Sequence, residues 1–357
     1  MTQLNKSWLK TSLHIAVYVF CLSLLSACSK DQQENIYRSQ IFAFGTLVEL
    51  SLFDVETKQG DALSADIRAR MKAFHQHWHA WQPSKLGEIN QALSATGRSP
   101  IESGDAALIA LALSLSKQSQ GLFHPALGKL SELWGFHSED TPIAPPSLTE
   151  IQNVMSLIPS AEKFSFDGDH ILVNSGKPVS FDLGGFAKGV IVDQSIELLK
   201  ERNINNAIIN TGGDLRAIGS AGARPWKIGI RHPRNQSVFA SLTIEGDEAV
   251  FTSGDYERYF EHEGKRYHHI LDPRTGYPAS DIASVTIVHN NGAVADAAAT
   301  ALFIAGIDQW QDIAKNMNIR HVMIIDKNSN VFITPTLAKR ITYETSQKPN
   351  VTIVPEL

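Results

Sequence analysis

Between Ala207 and Leu271, six short apolar and β-branched stretches follow one another, at 207–210, 215–218, 226–230, 241–244, 249–252 and 267–271. Gly, Asp, Asn and Pro separate them, as expected for strands joined by turns. Helical patterns lie on either side of this block. Leu63, Ile67, Met71, Phe74 and Trp78 recur every three or four residues and so share one helix face. Asp105–Ser119 and Ala187–Arg202 read as further helices, Ser147-Leu148-Thr149-Glu150 as a capping box opening another, and Ala293–Ala305 as an alanine-rich helix. Ile41–Phe53 is strand-like with Gly45-Thr46 inside it, and Val179–Phe181 and Ser284–Val288 are strand candidates. Asp167-Gly168 marks a hairpin, and Val322–Ile325 with Val331–Ile333 a closing one. Helices and strands mix without a steady strand–helix–strand alternation. This favours an α+β fold with mixed or antiparallel sheets over a doubly wound one.

The 357 residues are 43% hydrophobic and 19% charged, enough to bury a sizeable core in one large domain or two intimately joined ones. A formal net charge of -5 gives no electrostatic footprint for nucleic acid. Any phosphate-bearing ligand must therefore be held by a local site. Lys6 and Lys10 precede a short, interrupted apolar run, Leu13–Leu25, that ends in Leu25-Ser26-Ala27-Cys28. The pattern resembles a bacterial lipoprotein signal, cut before a lipidated Cys28. Only Cys21 and Cys28 are present, so the mature domain would hold no disulfide and no catalytic thiolate. The expected division is a signal over 1–27, an anchor and polar tether over 28–40, a folded domain over 41–345 and a tail over 346–357.

Four clusters could carry chemistry. In Asp182-Leu183-Gly184-Gly185-Phe186-Ala187-Lys188-Gly189, two glycines precede a helix start and Lys188 adds a point charge suited to phosphate. Asn210-Thr211-Gly212-Gly213-Asp214 is a second loop permitting close backbone approach. The segment from Tyr267 to Pro278 delivers His268, His269, Asp272 and Arg274 into a Pro/Gly-fixed turn. Neighbours on a strand face opposite ways, so His268 and His269 cannot both serve one site. Asp296 and Thr300 stand four apart with only alanines between them, a hard-oxygen pair suited to Mg²⁺. His75, His77 and His79 lack a glutamate placed as in a zinc-protease helix and read as a solvated face.

In this order the segments resemble the ApbE family, the FAD:protein FMN transferases. The resemblance rests on Phe44-Gly45-Thr46, Ser84 with Asn90, Gly121-Leu122-Phe123, Leu133-Trp134-Gly135-Phe136, the Asp182–Gly189 loop, Gly212-Gly213-Asp214, Thr252 to Tyr256, His269 to Gly276, and Asp296 with Thr300. It implies a T-fold-related, two-lobed single catalytic domain. It implies magnesium held by the Gly185 carbonyl, Asp296 and Thr300. It implies FAD, as substrate, contacted at Phe44, Trp81, Leu122, Phe123, His124, Asp182, Lys188 and Ile270, with His269 as general base. The implied reaction cleaves FAD, attaches FMN by a phosphoester to a Ser or Thr of an envelope electron-transfer subunit of Nqr or Rnf type, and releases AMP. The enzyme would be lipid-anchored and face the periplasm. The alternatives are a magnesium-dependent FAD pyrophosphatase and a non-catalytic flavin-binding lipoprotein. Two positions depart from the family pattern: Phe44 replaces the usual Met, and His124 a common Asp.

Overall fold

The computed structural model describes residues 35–357 except 139, 141, 143, 174–176, 346 and 347. Lys6, Lys10, Cys21 and Cys28, and with them the signal and lipidation site, lie outside the described residues. Residues 36–357 form one compact unit.

Its frame is a nine-stranded sheet whose spatial order is the chain order: Ile36–Ala43 (β1), Thr46–Phe53 (β2), Ala207–Thr211 (β3), Asp214–Ile218 (β4), Glu248–Gly254 (β5), Ile282–His289 (β6), His321–Asp326 (β7), Val331–Ile333 (β8) and Val351–Ile353 (β9). Every neighbouring pair is antiparallel except β8 with β9. The mixed α+β expectation therefore holds. Two boundaries do not. β1 begins inside the stretch read as tether, because Tyr37 and Ile41 pair with Leu52 and Val48 of β2. β9 lies in the stretch read as tail, where it completes the sheet edge and Val354 beside it is buried.

The helices are Thr57–Trp78 (α1), Lys85–Thr96 (α2), Ser103–Gln118 (α3), Gly128–Leu133 (α4), Leu148–Leu157 (α5), Ala187–Glu201 (α6), Gly292–Asn316 (α7) and Pro335–Ala338 (α8). α1 buries Leu63, Ile67, Met71, Phe74 and Trp78, the stripe its spacing predicts. α5 starts on the expected capping box: Ser147 accepts from the Glu150 N–H, and the Glu150 carboxylate accepts from the Ser147 N–H. α7 outruns its alanine-rich half, breaking at Gly306 (φ 73°) before continuing to Asn316.

Three apolar clusters hold the unit together. The largest lies under α1, α2, α3, α6 and α7 and includes Phe181, Phe186, Phe251 and Phe303. Each fully buried side chain of this size contributes about 1.5–3 kcal/mol. On the opposite sheet face, Trp226, Ile228, Phe239 and Leu242 pack a three-stranded sheet (227–231, 238–243, 341–343) against Leu215, Val250 and Ile325. A smaller cluster of Trp134, Phe136, Ile151, Phe260 and Leu271 joins α4 and α5 to the hairpin 259–268.

Val179–Phe181 belongs to no sheet. The side chains of α2 take the place of a partner strand. Asn90 bonds both the N–H and the C=O of Phe181, at 2.7 and 3.0 Å, and Ser94 does the same for Val179 at 2.9 Å each. This tie delivers the Asp182–Gly189 loop to the sheet face.

Candidate active site

A cavity of about 620 Å³ opens where α1, the 182–189 loop, the 212–214 turn and the 252–258 and 269–271 segments meet. Phe44, Trp81, Leu122, Phe123, His124, Asp182, Gly185, Lys188, His269, Ile270, Asp296 and Thr300 all line it. Positions scattered over more than 250 residues of sequence thus share one wall-bounded space.

The polar floor starts from α6 and α7. Asp296 Oδ2 accepts the Gly189 N–H at 3.0 Å. A Cβ on Gly185 would sit 3.2 Å from Thr300 Oγ1, so the glycine backbone passes beside the hydroxyl. Ser253 Oγ lies 3.4 Å from the same hydroxyl. Burial pushes the Asp296 carboxyl well above the ordinary carboxylate range; the Lys188 ammonium opposes this and Asp214 reinforces it. Burial also works against the Lys188 charge, but Asp214 and Asp296 outweigh it and raise its pKa. The Lys188 ammonium donates to buried Asp214, whose other oxygen accepts the Thr252 N–H at 2.9 Å. The second glycine loop therefore serves to place the counter-ion of Lys188.

Asp182 Oδ1 accepts the Gly184 N–H at 2.9 Å, which shapes the loop on which Gly185 sits. His269 donates both its backbone N–H and Nδ1–H to the Arg258 carbonyl, at 3.0 and 3.2 Å. A carbonyl can only accept, so Nδ1 carries the proton and Nε2 keeps a free lone pair. Burial, then His268 and Arg258, push the His269 pKa down to about 3, so the ring is neutral near pH 7. His268 turns the other way, with Nε2 2.8 Å from the Ala279 carbonyl and its ring edge-on to Phe303. The alternation expected along the strand is realised. Asp272 and Arg274 stay outside the cavity: their bidentate pair, at 2.8–3.1 Å, fixes the turn after Leu271.

The aromatic side is built from Phe44, in the left-handed region at φ 53°, packed edge-on against Phe74 and His75. Trp81 lies 5.6 Å from the His137 ring. His124 accepts the Ala126 N–H at 3.2 Å, and burial holds its pKa at about 4. It is a neutral backbone tie rather than a charge.

The expected solvated face of α1 is corrected here. His75 and His79 line the cavity, and only His77 turns away, to Asp105 at 2.9 Å. His79 Nδ1 accepts the Trp81 and Gln82 N–H groups, both at 3.0 Å, as the chain folds back after α1. Tyr256, the last residue of the Thr252–Tyr256 motif, lines the cavity too; Arg231, Glu257 and Arg258 also line it and were not singled out from sequence. Arg231 comes from the edge of the three-stranded sheet and stacks over Tyr256 at 5.1 Å. Only this tertiary packing brings it in.

The residues present fit a magnesium ion. Asp296 and Thr300 offer hard oxygens one turn apart, and among the described residues no cation is hydrogen-bonded to the buried carboxylate. Among the described residues, no three His, Cys, Asp or Glu side chains are grouped to hold a metal. A site here would draw its other ligands from backbone, substrate and water.

The ApbE family model matches residues 44–324. A Rhodobacter capsulatus protein named FAD:protein FMN transferase is 36% identical over 318 residues, 89% of this chain and 60% of that relative, so this chain spans about three fifths of its length. A Haemophilus influenzae protein of the same name is 30% identical over 281 residues, covering 77% of this chain and 79% of the relative. The crystal structure of the Thermotoga maritima ApbE protein superposes with a TM-score of 0.78 at 32% identity, covering 86% of this chain and 99% of the other.

Proposed function

The chain belongs to the ApbE family, and we propose that it cleaves FAD and transfers FMN, through its phosphate, to a Ser or Thr hydroxyl of a partner protein. The observation that carries this reading is the convergence of Lys188, Asp296, Thr300 and the free nitrogen of neutral His269 on one cavity.

The aromatic side, with Phe44 and Trp81, suits a planar ring system. The Gly184-Gly185 turn lets phosphate oxygens approach the backbone without Cβ clashes. Lys188, held by Asp214, keeps its charge at every physiological pH and faces the diphosphate. Asp296, Thr300 and the Gly185 carbonyl would hold magnesium, which when bound neutralises charge growing on the diphosphate oxygens. His269 Nε2 takes the proton of the attacking hydroxyl. The acceptor oxygen forms a new bond to the FMN-side phosphorus, the diphosphate bridge breaks, and AMP leaves with the bonding pair. The Arg258 carbonyl, accepting from Nδ1–H, favours the imidazolium that results.

The same reading assigns the lipobox-like Leu25–Cys28 to a lipid anchor holding the domain at a membrane on its periplasmic side. Among the described residues no helix is long and apolar enough to cross a membrane. The acceptors would be envelope electron-transfer subunits of Nqr or Rnf type.

The test incubates the chain with FAD, Mg²⁺ and candidate acceptor domains and weighs every product. An acceptor heavier by one FMN phosphoryl group, with equimolar AMP, supports transfer. Free FMN with AMP and an unmodified acceptor would make it a pyrophosphatase, and intact FAD a binding protein.

A further inference from the structure

α6 and α7 meet through a reciprocal exchange of hydrogen bonds that the mechanism above uses on one side only. Asp296, on α7, accepts the N–H of Gly189 in the first turn of α6, at 3.0 Å. Asp193, on α6, accepts the N–H of Gly292, the first residue of α7, at 2.8 and 2.9 Å, and that of Ala293 at 3.2 Å. Each helix thus carries Gly-x-x-x-Asp: Gly189 with Asp193, and Gly292 with Asp296. Each carboxylate satisfies the N-terminal amides of the other helix. The glycines allow the contact. A Cβ on Gly189 would lie 2.2 Å from the Gly292 carbonyl oxygen, and one on Gly292 would lie 2.9 Å from the Gly189 carbonyl oxygen.

The two carboxylates differ in their other partners. Arg216 on β4 holds Asp193 at 2.6 Å, and the same guanidinium grips Asp247 at 2.7 and 3.0 Å. Among the described residues no guanidinium or ammonium hydrogen-bonds Asp296, which lines the cavity. The remaining amides at the start of α7 are also accounted for: Asn291 accepts the Val294 N–H through its side chain at 2.9 Å and the Ala295 N–H through its carbonyl at 3.1 Å. The first turn of α7 is therefore pinned from outside, and Asp296 sits at the end of that turn.

We propose that Asp193 is a positioning residue for the divalent-cation site: clamped by Arg216, it fixes the start of α7 and so aims the Asp296 carboxylate. The proposal rests on the reading of Asp296 as a metal ligand. Partners one step removed from a metal ligand alter metal affinity by roughly 10–100-fold when lost.

The experiment measures Mn²⁺ binding to the detergent-solubilised full chain by electron paramagnetic resonance, and FAD binding in metal-free buffer by flavin fluorescence. Asp193→Asn keeps an oxygen for the amides but loses the ion pair with Arg216, and is the variant least exposed to misfolding; Asp193→Ala removes both. Asp247→Asn, which loosens the other side of Arg216, is the stability control. The expected result is Mn²⁺ affinity lowered about 10–100-fold in Asp193→Asn, more in Asp193→Ala, with FAD affinity within about twofold of native, whereas Asp247→Asn lowers melting temperature and leaves Mn²⁺ affinity in place. Native Mn²⁺ affinity in Asp193→Asn, or Mn²⁺ and FAD affinity falling together, would overturn the proposal. A native chain that binds no Mn²⁺ would remove the metal reading itself, and this inference with it.

Discussion

His268 and His269 are sequence neighbours in opposite surroundings, and both are neutral for reasons that can be separated. His268 is 3% exposed, its Nε2–H donating to Ala279 and its Nδ1 accepting the Ile270 N–H at 3.3 Å. A second proton would place N–H against N–H. Burial pushes its pKa from 6.5 down to about 4. The unfolded chain thus takes up this proton at higher pH than the folded one. The stabilisation is complete above about pH 6.5 and is lost as pH falls toward 4, an effect of roughly 3 kcal/mol. The denaturation midpoint should drop over that window, and His268→Gln should flatten the drop; an unchanged acid limb would show that the ring is not held neutral. His269→Ala should slow transfer by roughly 10²–10⁴-fold and leave FAD affinity within a few-fold, as read by single-turnover kinetics beside fluorescence titration. Equal losses in both would make it a binding residue.

Among the elements, the α6–α7 contact is the most demanding. Gly189→Ala puts a methyl carbon into the Gly292 carbonyl, a backbone atom that cannot swing aside. Overpacking of this kind costs about 1–3 kcal/mol, and urea unfolding should report it. A neutral outcome would mean the helices separate freely. This contact also shows what sequence could and could not reveal. The 3.6-residue stripe of α1 and the capping box of α5 are local signals, and both were legible. Val179–Phe181 read as a strand because its side chains suit one, yet the groups that satisfy its backbone are Asn90 and Ser94, far away in sequence. His75 and His79 looked solvated because the helix pattern marks only the face against the core. It does not mark a flank that the 122–124 and 182–188 segments later roof over.

At the scale of the whole molecule, the site lies where segments from both ends of the chain are brought side by side. The turn between β1 and β2 supplies Phe44 and Gly45, and the start of β2 Thr46, at one side, while β5 and α7 supply Thr252, Asp296 and Thr300. The ordered motifs revealed the family and the residues lining the cavity. Arg231, Glu257 and Arg258 stayed hidden because they enter through packing of the smaller sheet and of the approach to the hairpin rather than through any local pattern. The far edge, β8 with β9, stabilises without touching the cavity. Deleting residues 350–357 removes the β9 pairing and buried Val354, so the melting temperature should fall while FAD affinity stays native. Loss of FAD binding at native stability would tie that edge to the site instead.

The most direct measurement is a crystal soaked with FAD and Mn²⁺ in place of Mg²⁺, with the ion located by its anomalous signal. The account predicts one ion bonded to an Asp296 carboxylate oxygen and the Thr300 hydroxyl while also touching the diphosphate. An ion elsewhere, or an Asp296 carboxylate turned away from a bound diphosphate, would contradict it.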